Sequence, residues 1–567
     1  MPCWGARSSH ALPTAAARSA AVGSIWTIAL HTTREALRMR VVLAFAILIL
    51  AVVAGMPLAV YRPDALISAM VQTFLAWTLM PLGALLSLLA IFLGCLSISD
   101  DMVNRQIFLL ACKPLPRWKY VVGKWLGAVI VLSGLLFFAA ACIYGTARLL
   151  AARPGADPRD PMTLRHQVLT ARASSHLYTP DLTARAEQIF QMLVEQGRLS
   201  DPSRPIGLKL EESAADEAKA AIRKELEAAY RTVNPGAFAA YEFRGIVLPP
   251  GVREVRDLEL LGVPLEQREE VLKILSEEGG LAKPNDLGYF ADLPKTVVRR
   301  VPREEAQRLG ERLHRAGAEV AGHAGYYLQL RYKAQGLGYL PDESLETSWA
   351  FGPSPELAAQ QRPIKRKDRK DHYHVINFPA DAVGDDGRVF AVVRNDEDRR
   401  QDKPPEHPGA VVQFETGSLE TLYVIGTFEG NLARTLLLVW CRVVLIAGVA
   451  VFTATFLSFP VACLVTFLFY VLAISGDYVT SAMKFGAPGE GTLGPASLVV
   501  QPVLETLFWA LPKFARYDGV ENFVDGRNVS LMWDLQALGN LVLLLTAAFL
   551  LGACIIFQRR QVAELSV

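Results

Sequence analysis

Asp100 and Asp101 end a long uncharged run. Beyond them Arg105, Lys113, Pro114, Arg117, Gly123 and Lys124 follow before the next uncharged run, with Trp118 and Tyr120 among them. As chemistry this is an acidic pair at a helix end, a short apolar helix, a proline turn, and a basic, aromatic entry into the next helix. Such side chains form charge-assisted hydrogen bonds, with one another or with a protein that docks against them. They also fit a solvated connection whose basic charge only sets its side of a membrane. A separate charge, Arg442, stands well inside another apolar run. An unpaired guanidinium is expensive there, so it either serves a function or reaches the surface or a local partner. His372 and His374 are two apart beside Asp371, on one face if the segment is a strand. Metal binding needs a third ligand that the neighbourhood does not offer, so they read as surface residues. The sequence holds no G-x-x-x-x-G-K-[ST] phosphate loop, nucleophile elbow, zinc-protease signature or Gly-rich nucleotide fingerprint. These groups point to contact rather than catalysis, with no enzyme activity, metal or cofactor expected within the chain.

The elements that must position them are apolar runs. The 567 residues are 51% hydrophobic and 20% charged with a net charge of +2, close to a soluble average. The mean hydropathy of +0.25 is nevertheless high for a soluble chain of this size. The average conceals two materials. Residues 153–430 are charged and punctuated by proline, whereas the flanks are almost free of charge over long stretches. Roughly 20 apolar residues cross a hydrocarbon core about 30 Å thick. Residues 41–60, 65–99, 125–147 and 535–558 meet that length, Pro81 being tolerable as a kink where other helices cover it. The run 443–476, broken at Ser458-Phe459-Pro460, holds two more spans if the first begins near Leu436. The expected fold class is therefore membrane all-α: six transmembrane helices, with a large α+β/β-sandwich extracytoplasmic domain inserted between helices 3 and 4.

Basic residues set the orientation. Arg34, Arg38 and Arg40 precede the first span, Arg105 to Lys124 separate the second from the third, and Arg559 and Arg560 follow the last. Six spans put all three groups on the cytoplasmic side and the insert outside. Arg148 and Arg153 fall on the wrong side for a strict rule, which long translocated domains tolerate. No apolar core of signal-peptide length follows Arg7 or Arg18, so a cleaved secretory leader is not expected. Residues 24–38 gather Ile25, Ile28, Ala29, Ala36 and Leu37 toward one face, the pattern of a helix lying in the interface, or else simply continue into the first span. The seven cysteines all lie in or beside the apolar parts, so the insert must hold together without disulfides.

The expected segments are a cytoplasmic tail and interfacial helix 1–38, helices 1–3 over 39–150 with the connection 97–124, the insert 151–430, helices 4–6 over 431–558, and a tail 559–567. Between the last two spans, 496–511 is apolar but too short to cross, which suggests a re-entrant segment on the outer face. Within the insert, 184–232 is helical, with Ala218, Ile222, Leu226 and Ala229 on a thin stripe suited to packing on one neighbour. Residues 252–322 form a compact α/β module: a helix at 269–277 ends at Gly279-Gly280, and Pro302 opens a second whose Ala306, Leu309 and Leu313 face inward before Gly317 closes it. Residues 324–428 are β-rich. Leu328, Leu330 and Tyr332 alternate with Gln329 and Arg331, and Asp385-Asp386-Gly387 forms a turn between two strands.

The connection resembles the one after the second span in type-2 ABC permeases, where an acidic residue is followed by a short helix, a Lys-Pro or similar turn, an Arg or Ser, and Gly-Lys. Here these are Asp100 and Asp101, residues 107–111, Lys113-Pro114, Arg117 and Gly123-Lys124, although Arg105-Gln106 stands where that family commonly has Gly-Thr. The GTFEGNLAR run at 426–434, the FLSFP break at 456–460, LPKF at 511–514 and the basic FQRRQ tail agree in order and spacing, so the resemblance covers about residues 24–150 and 426–567. It implies a multi-pass permease subunit of an exporter in the bacterial inner (plasma) membrane, contacting lipid and no nucleic acid. It also implies a homodimer or a pair with a similar permease, and a separate cytoplasmic ATPase that binds ATP and Mg. Asp100, Asp101, Arg105, Pro114, Arg117, Gly123 and Lys124 would then be the ATPase-coupling contact or its support. The VLKIL, GGLAKPNDL, LPKTVVRRV and EEAQRLGERLHRAGAEV runs resemble the C-terminal domain of the bacterial ribosomal stalk protein, which implies interaction rather than catalysis. The alternative class is a membrane-anchored extracytoplasmic binding or sensory protein without transport.

Overall fold

The computed structural model describes residues 15–62, 66–103, 116–153, 164–196, 212–252, 254–278, 290, 295–338, 340, 342–398, 409–485 and 512–559. Arg105, Pro114, the Gly279-Gly280 turn and the 496–511 segment lie outside the described residues. The chain divides into two compact units, one of residues 1–171 with 426–567 and the other of residues 172–425.

In chain order the longer helices are α1 (Ala15–Arg38), α2 (Arg40–Val60), α3 (Ile67–Val103), α4 (Arg117–Ala151), α5 (Thr183–Glu195), α6 (Glu212–Tyr230), α7 (Arg268–Glu278), α8 (Arg303–Arg315), α9 (Pro355–Gln360), α10 (Phe428–Ala454), α11 (Phe459–Phe485) and α12 (Leu531–Arg559), with a short helical turn at Val520–Val524. Six of them, α2, α3, α4, α10, α11 and α12, are long and apolar enough to cross a membrane. This is the signature of a multi-pass membrane protein. Leu43, Ile47, Leu58, Leu464, Leu543, Leu544 and Leu551 stay exposed on the helical unit, as lipid-facing positions do. The helix of the fourth span starts at Phe428 rather than near Leu436, where the Thr427 side chain caps it by accepting from the Gly430 amide. α1 is not a continuation of the first span: the helix breaks at Met39, which is extended (φ −71°, ψ 130°). On α1, Ala29, Thr32 and Ala36 are buried, while Leu37, expected on the same face, is exposed. α12 carries a π-helical stretch, Leu538–Thr546, in which the Thr546 hydroxyl donates to the Leu541 carbonyl at 2.7 Å.

The second unit is strand-rich. Its strands are β1 (Thr170–His176), β2 (Thr232–Val233), β3 (Phe238–Phe243), β4 (Val255–Gly262), β5 (Lys295–Pro302), β6 (Glu319–Ala324), β7 (Tyr327–Leu337), β8 (Ser344–Gly352), β9 (Ile364–Arg369), β10 (Tyr373–Pro379), β11 (Val389–Asn395), β12 (Val411–Phe414) and β13 (Glu420–Thr427). Three sheets form: a six-stranded sheet ordered β1-β13-β7-β12-β2 with β10 also on β7, a four-stranded sheet β3-β11-β8-β9, and a three-stranded sheet β5-β4-β6. The first two share one apolar core that includes Leu328, Tyr332, Phe378 and Phe414 from one and Tyr241, Phe243, Trp349 and Val393 from the other. The alternation of β7 buries Leu328, Leu330 and Tyr332 as patterning requires. Gln329 is buried as well, because it bonds Asn377 Oδ1 at 3.0 Å and accepts from Arg172.

The three-stranded sheet has its own core. Leu258 and Leu260 of β4 meet Val271 and Leu275 of α7 and Ala306, Leu309 and Leu313 of α8. Gly317, at φ +79°, turns the chain out of α8 in the left-handed conformation that glycine adopts without strain. α5 and α6 lie against each other, joined by the Lys219–Glu187 ion pair at 2.8 Å. The expected stripe on α6 is half-buried at Ala218, Ile222 and Leu226 and exposed at Ala229.

Candidate functional site

The last turn of α3 and the first turns of α4 bracket the connection singled out in the sequence. Arg117, Tyr120 and Lys124 are spaced so that they share a face of α4. The Lys124 ammonium lies 2.8 Å from Asp101 Oδ2 and 3.4 Å from Glu35 Oε2 of α1. The Tyr120 hydroxyl donates to the same Asp101 oxygen at 2.5 Å. The Lys124 and Asp101 side chains are only 5% and 6% exposed. Two such charges are tolerable away from water because they satisfy each other, and removing one strands the other at a cost of about 3–5 kcal/mol. The cluster thus fastens the ends of α1, α3 and α4 to one another.

A second clamp reaches the last helix. Arg117 Nη1 donates to the carbonyls of Phe557 and Gln558, each at 3.2 Å, so a guanidinium caps the carboxyl end of α12. The Tyr120 ring stacks on Phe557 at 5.6 Å between centroids. Gly123 and Gly127 let α1 approach α4 closely. A Cβ on Gly123 would come within 2.7 Å of Ile28 Cγ2, and one on Gly127 within 2.6 Å of Thr32 Cβ. Small residues four apart allow such contact between apolar helices.

Of the residues expected to form the contact, Asp101 and Lys124 are therefore internal and paired, Gly123 is a packing position, Arg117 is held by helix-end carbonyls, and Asp100 is half-buried. Tyr120, one of the aromatic residues at the entry to α4, and Glu35, which does not stand out in the sequence, complete the cluster. The available signal was that Glu35 continues the Ile25, Ile28, Thr32 face of α1.

Arg442 has a local partner: its Nη2 is 3.7 Å from Asp518 Oδ2, and its guanidinium lies over the Phe514 ring at 5.5 Å. It belongs to a stripe on α10 that holds the segment before α12. Asn431 bonds the Arg527 carbonyl at 2.7 Å and accepts from the Val529 amide at 2.8 Å, and Arg434 donates to Asn528 Oδ1 at 2.8 Å. Beyond it, Asp534 is buried, and neither of its carboxylate oxygens has a hydrogen-bond partner among the described residues. At the far end of α4, Arg148 pairs with Glu429, which removes it as an uncompensated positive charge. In the strand-rich unit, His372 Nδ1 meets the Lys370 carbonyl at 2.9 Å and His374 Nε2 the Arg369 carbonyl at 2.7 Å.

No family model matches the chain, and no curated protein or solved structure matches it either.

Proposed function

We propose that the chain is the membrane-spanning permease subunit of an ABC transporter, driven by a separate cytoplasmic ATPase that meets the connection between α3 and α4. The observation that carries this reading is the Glu35–Lys124–Asp101–Tyr120 cluster together with the Arg117 clamp on α12. A push on residues 104–116 is delivered at once to α1, α3, α4 and α12, since both ends of that segment are fastened to them. Charged groups that serve only to mark the side of a membrane have no need of such fastening. In this reading Asp101, Lys124 and Gly123 support the contact, and Asp100, Arg105 and Pro114 stand nearer the partner. The strand-rich unit then lies outside the cytoplasm and Arg442 is structural. The three-stranded module, with its helices packed on one antiparallel sheet, suits an interaction surface.

Affinity purification of the full chain from its native membrane, followed by ATPase assay, tests this directly. An ATP-hydrolysing subunit is expected to copurify, and Asp100→Lys to reduce its recovery while the permease stays folded. A chain that purifies alone, with Asp100→Lys indistinguishable from the parent, overturns the reading in favour of a membrane-anchored binding protein.

A further inference from the structure

Where α3, α10 and α11 meet, four small polar side chains gather inside the apolar bundle. Thr453 of α10 and Thr466 of α11, both buried, hold their hydroxyl oxygens 2.9 Å apart. Thr453 also donates to the Ala450 carbonyl at 3.0 Å, and the Cys95 thiol of α3 donates to the same carbonyl at 3.7 Å. Gly94 lets α3 come that close to α10, since a Cβ there would fall within 2.6 Å of Ala450 Cβ. Cys463 precedes Thr466 by three residues and so shares its face of α11. The Cys95 and Cys463 side chains are in hydrogen-bonding contact, with both threonines beside Cys95.

The two thiols differ in access. Cys95 is fully buried, whereas Cys463 is half-buried and lies only about 6 Å along the axis from the start of α11 at Phe459. Leu464, Phe467 and Leu468 around it are exposed, so α11 runs along the margin of the bundle. A small neutral molecule reaches Cys463 first, and Cys95 stands behind it, as a resolving thiol stands behind an attacking one. The apolar surroundings exclude bulky charged oxidants and favour an uncharged hydroperoxide. They also favour a disulfide over a soft monovalent cation held by two thiolates, because the disulfide is neutral and the metal complex keeps a net charge.

We propose that Cys95 and Cys463 are a modification site for hydroperoxides, oxidised to a disulfide that ties α11 to α3. The Cys463 sulfur attacks one peroxide oxygen and the O–O bond breaks. The other oxygen leaves with the thiol proton as water or an alcohol, and Cys463 becomes a sulfenic acid. The Cys95 sulfur then attacks the Cys463 sulfur: the S–O bond breaks, the S–S bond forms, and the hydroxyl leaves with the Cys95 proton as water. Two thiols are oxidised and one hydroperoxide is reduced, and a dithiol reverses the bond by exchange. The proposal rests on the helical unit alone and does not depend on the permease reading.

The test uses the full chain in lipid nanodiscs, carrying a protease site inserted between Gln401 and Asp402. Cleavage there leaves Cys95 in the amino-terminal fragment and Cys463 in the carboxy-terminal one. After treatment with hydrogen peroxide or cumene hydroperoxide, the protein is denatured with excess maleimide, cleaved and run on a non-reducing gel. The two fragments should stay linked and separate on addition of dithiothreitol. The link should be lost in Cys463→Ser and in Cys95→Ser and kept in Cys441→Ser. Cys463 is half-buried and serine is close to it in size, so the melting temperature of Cys463→Ser should stay at the parent value. Faster linkage by cumene hydroperoxide would bring the oxidant from the lipid, and faster linkage by hydrogen peroxide from the water. Copper-phenanthroline, which joins adjacent thiols directly, is the control for proximity. Linkage by copper-phenanthroline but by neither hydroperoxide, no linkage by any of the three, or linkage that persists in Cys463→Ser overturns the proposal.

Discussion

The two units solve opposite solvation problems with similar residues. In the helical unit leucines and isoleucines point outward, Leu58 being 83% exposed, and of its buried charges Asp101 and Lys124 form a paired cluster near helix ends while Asp534 stands apart. In the strand-rich unit the largest side chains point inward, Trp349 being fully buried, and buried polar groups close loops onto strands. There Asn395 Nδ2 donates to the Val233 and Ala410 carbonyls at 2.9 Å each, and the Glu346 amide donates to Glu397 Oε1 at 2.8 Å. The difference teaches what a buried charge means in each place. Polar groups inside the strand-rich unit complete backbone hydrogen bonding, which any folded sheet needs. Charges inside an apolar helical bundle have no such obligation and are better read as couplings between helices.

The largest effects should separate the units. Lys124→Met leaves Asp101 charged with the Tyr120 hydroxyl but no cation, and should cost about 3–5 kcal/mol in the helical unit. The double variant Asp101→Leu with Lys124→Met should recover most of that stability while losing any transmission through the cluster. Trp349→Ala should cost about 3–5 kcal/mol in the strand-rich unit. Differential scanning calorimetry with limited proteolysis would assign each loss to its unit; if Lys124→Met instead destabilised both equally, the division would be wrong. Gly127→Leu drives a side chain into Thr32 and Ala29, and overpacking of about 1–3 kcal/mol should loosen α1 and make it protease-sensitive. Thr427→Ala removes the side chain that accepts from the Gly430 amide at 3.3 Å, and should cost about 1 kcal/mol, seen as faster hydrogen exchange in the first turn of α10.

The smallest effect at neutral pH concerns Tyr332. Burial, and then its hydrogen bond to Asp368, push its phenol above the ordinary value of 10.0. A raised phenol stays protonated in the fold while the unfolded chain ionises. Its stability contribution is therefore complete below about pH 10 and falls as pH rises above it. Tyr332→Phe should flatten that alkaline loss in a pH series of melting curves, and an unchanged slope would place its origin elsewhere, with Tyr241, also raised by burial, the next candidate.

Run length made the apolar helices legible, because crossing thirty-odd ångströms of hydrocarbon leaves no alternative to an uncharged stretch. Local punctuation did the same for α7 and α8, where Pro302 and Gly317 mark the ends of the second helix. β1 was not legible: its TARASSH sequence shows no alternation, and it is a strand only because β13 pairs with it. Two strands that precede the β-rich stretch, β2 and β3, join sheets whose other members lie far along the chain, which no local pattern announces. At the candidate site Asp101 and Lys124 could be picked out, but their pairing could not. Glu35, Asp101 and Lys124 come from three helices, and only packing through Gly123 and Gly127 brings α1 close enough to add its carboxylate.

The measurement that bears most directly on this account is the side of the membrane on which each part lies. The strand-rich unit contains no cysteine, whereas Cys112 lies in the connection between α3 and α4. A Leu357→Cys variant, exposed on α9, should react with a membrane-impermeant maleimide in intact spheroplasts, while Cys112 should react only after the membrane is opened. The reverse pattern would put the strand-rich unit with the cytoplasm and contradict an ATPase docking on the connection.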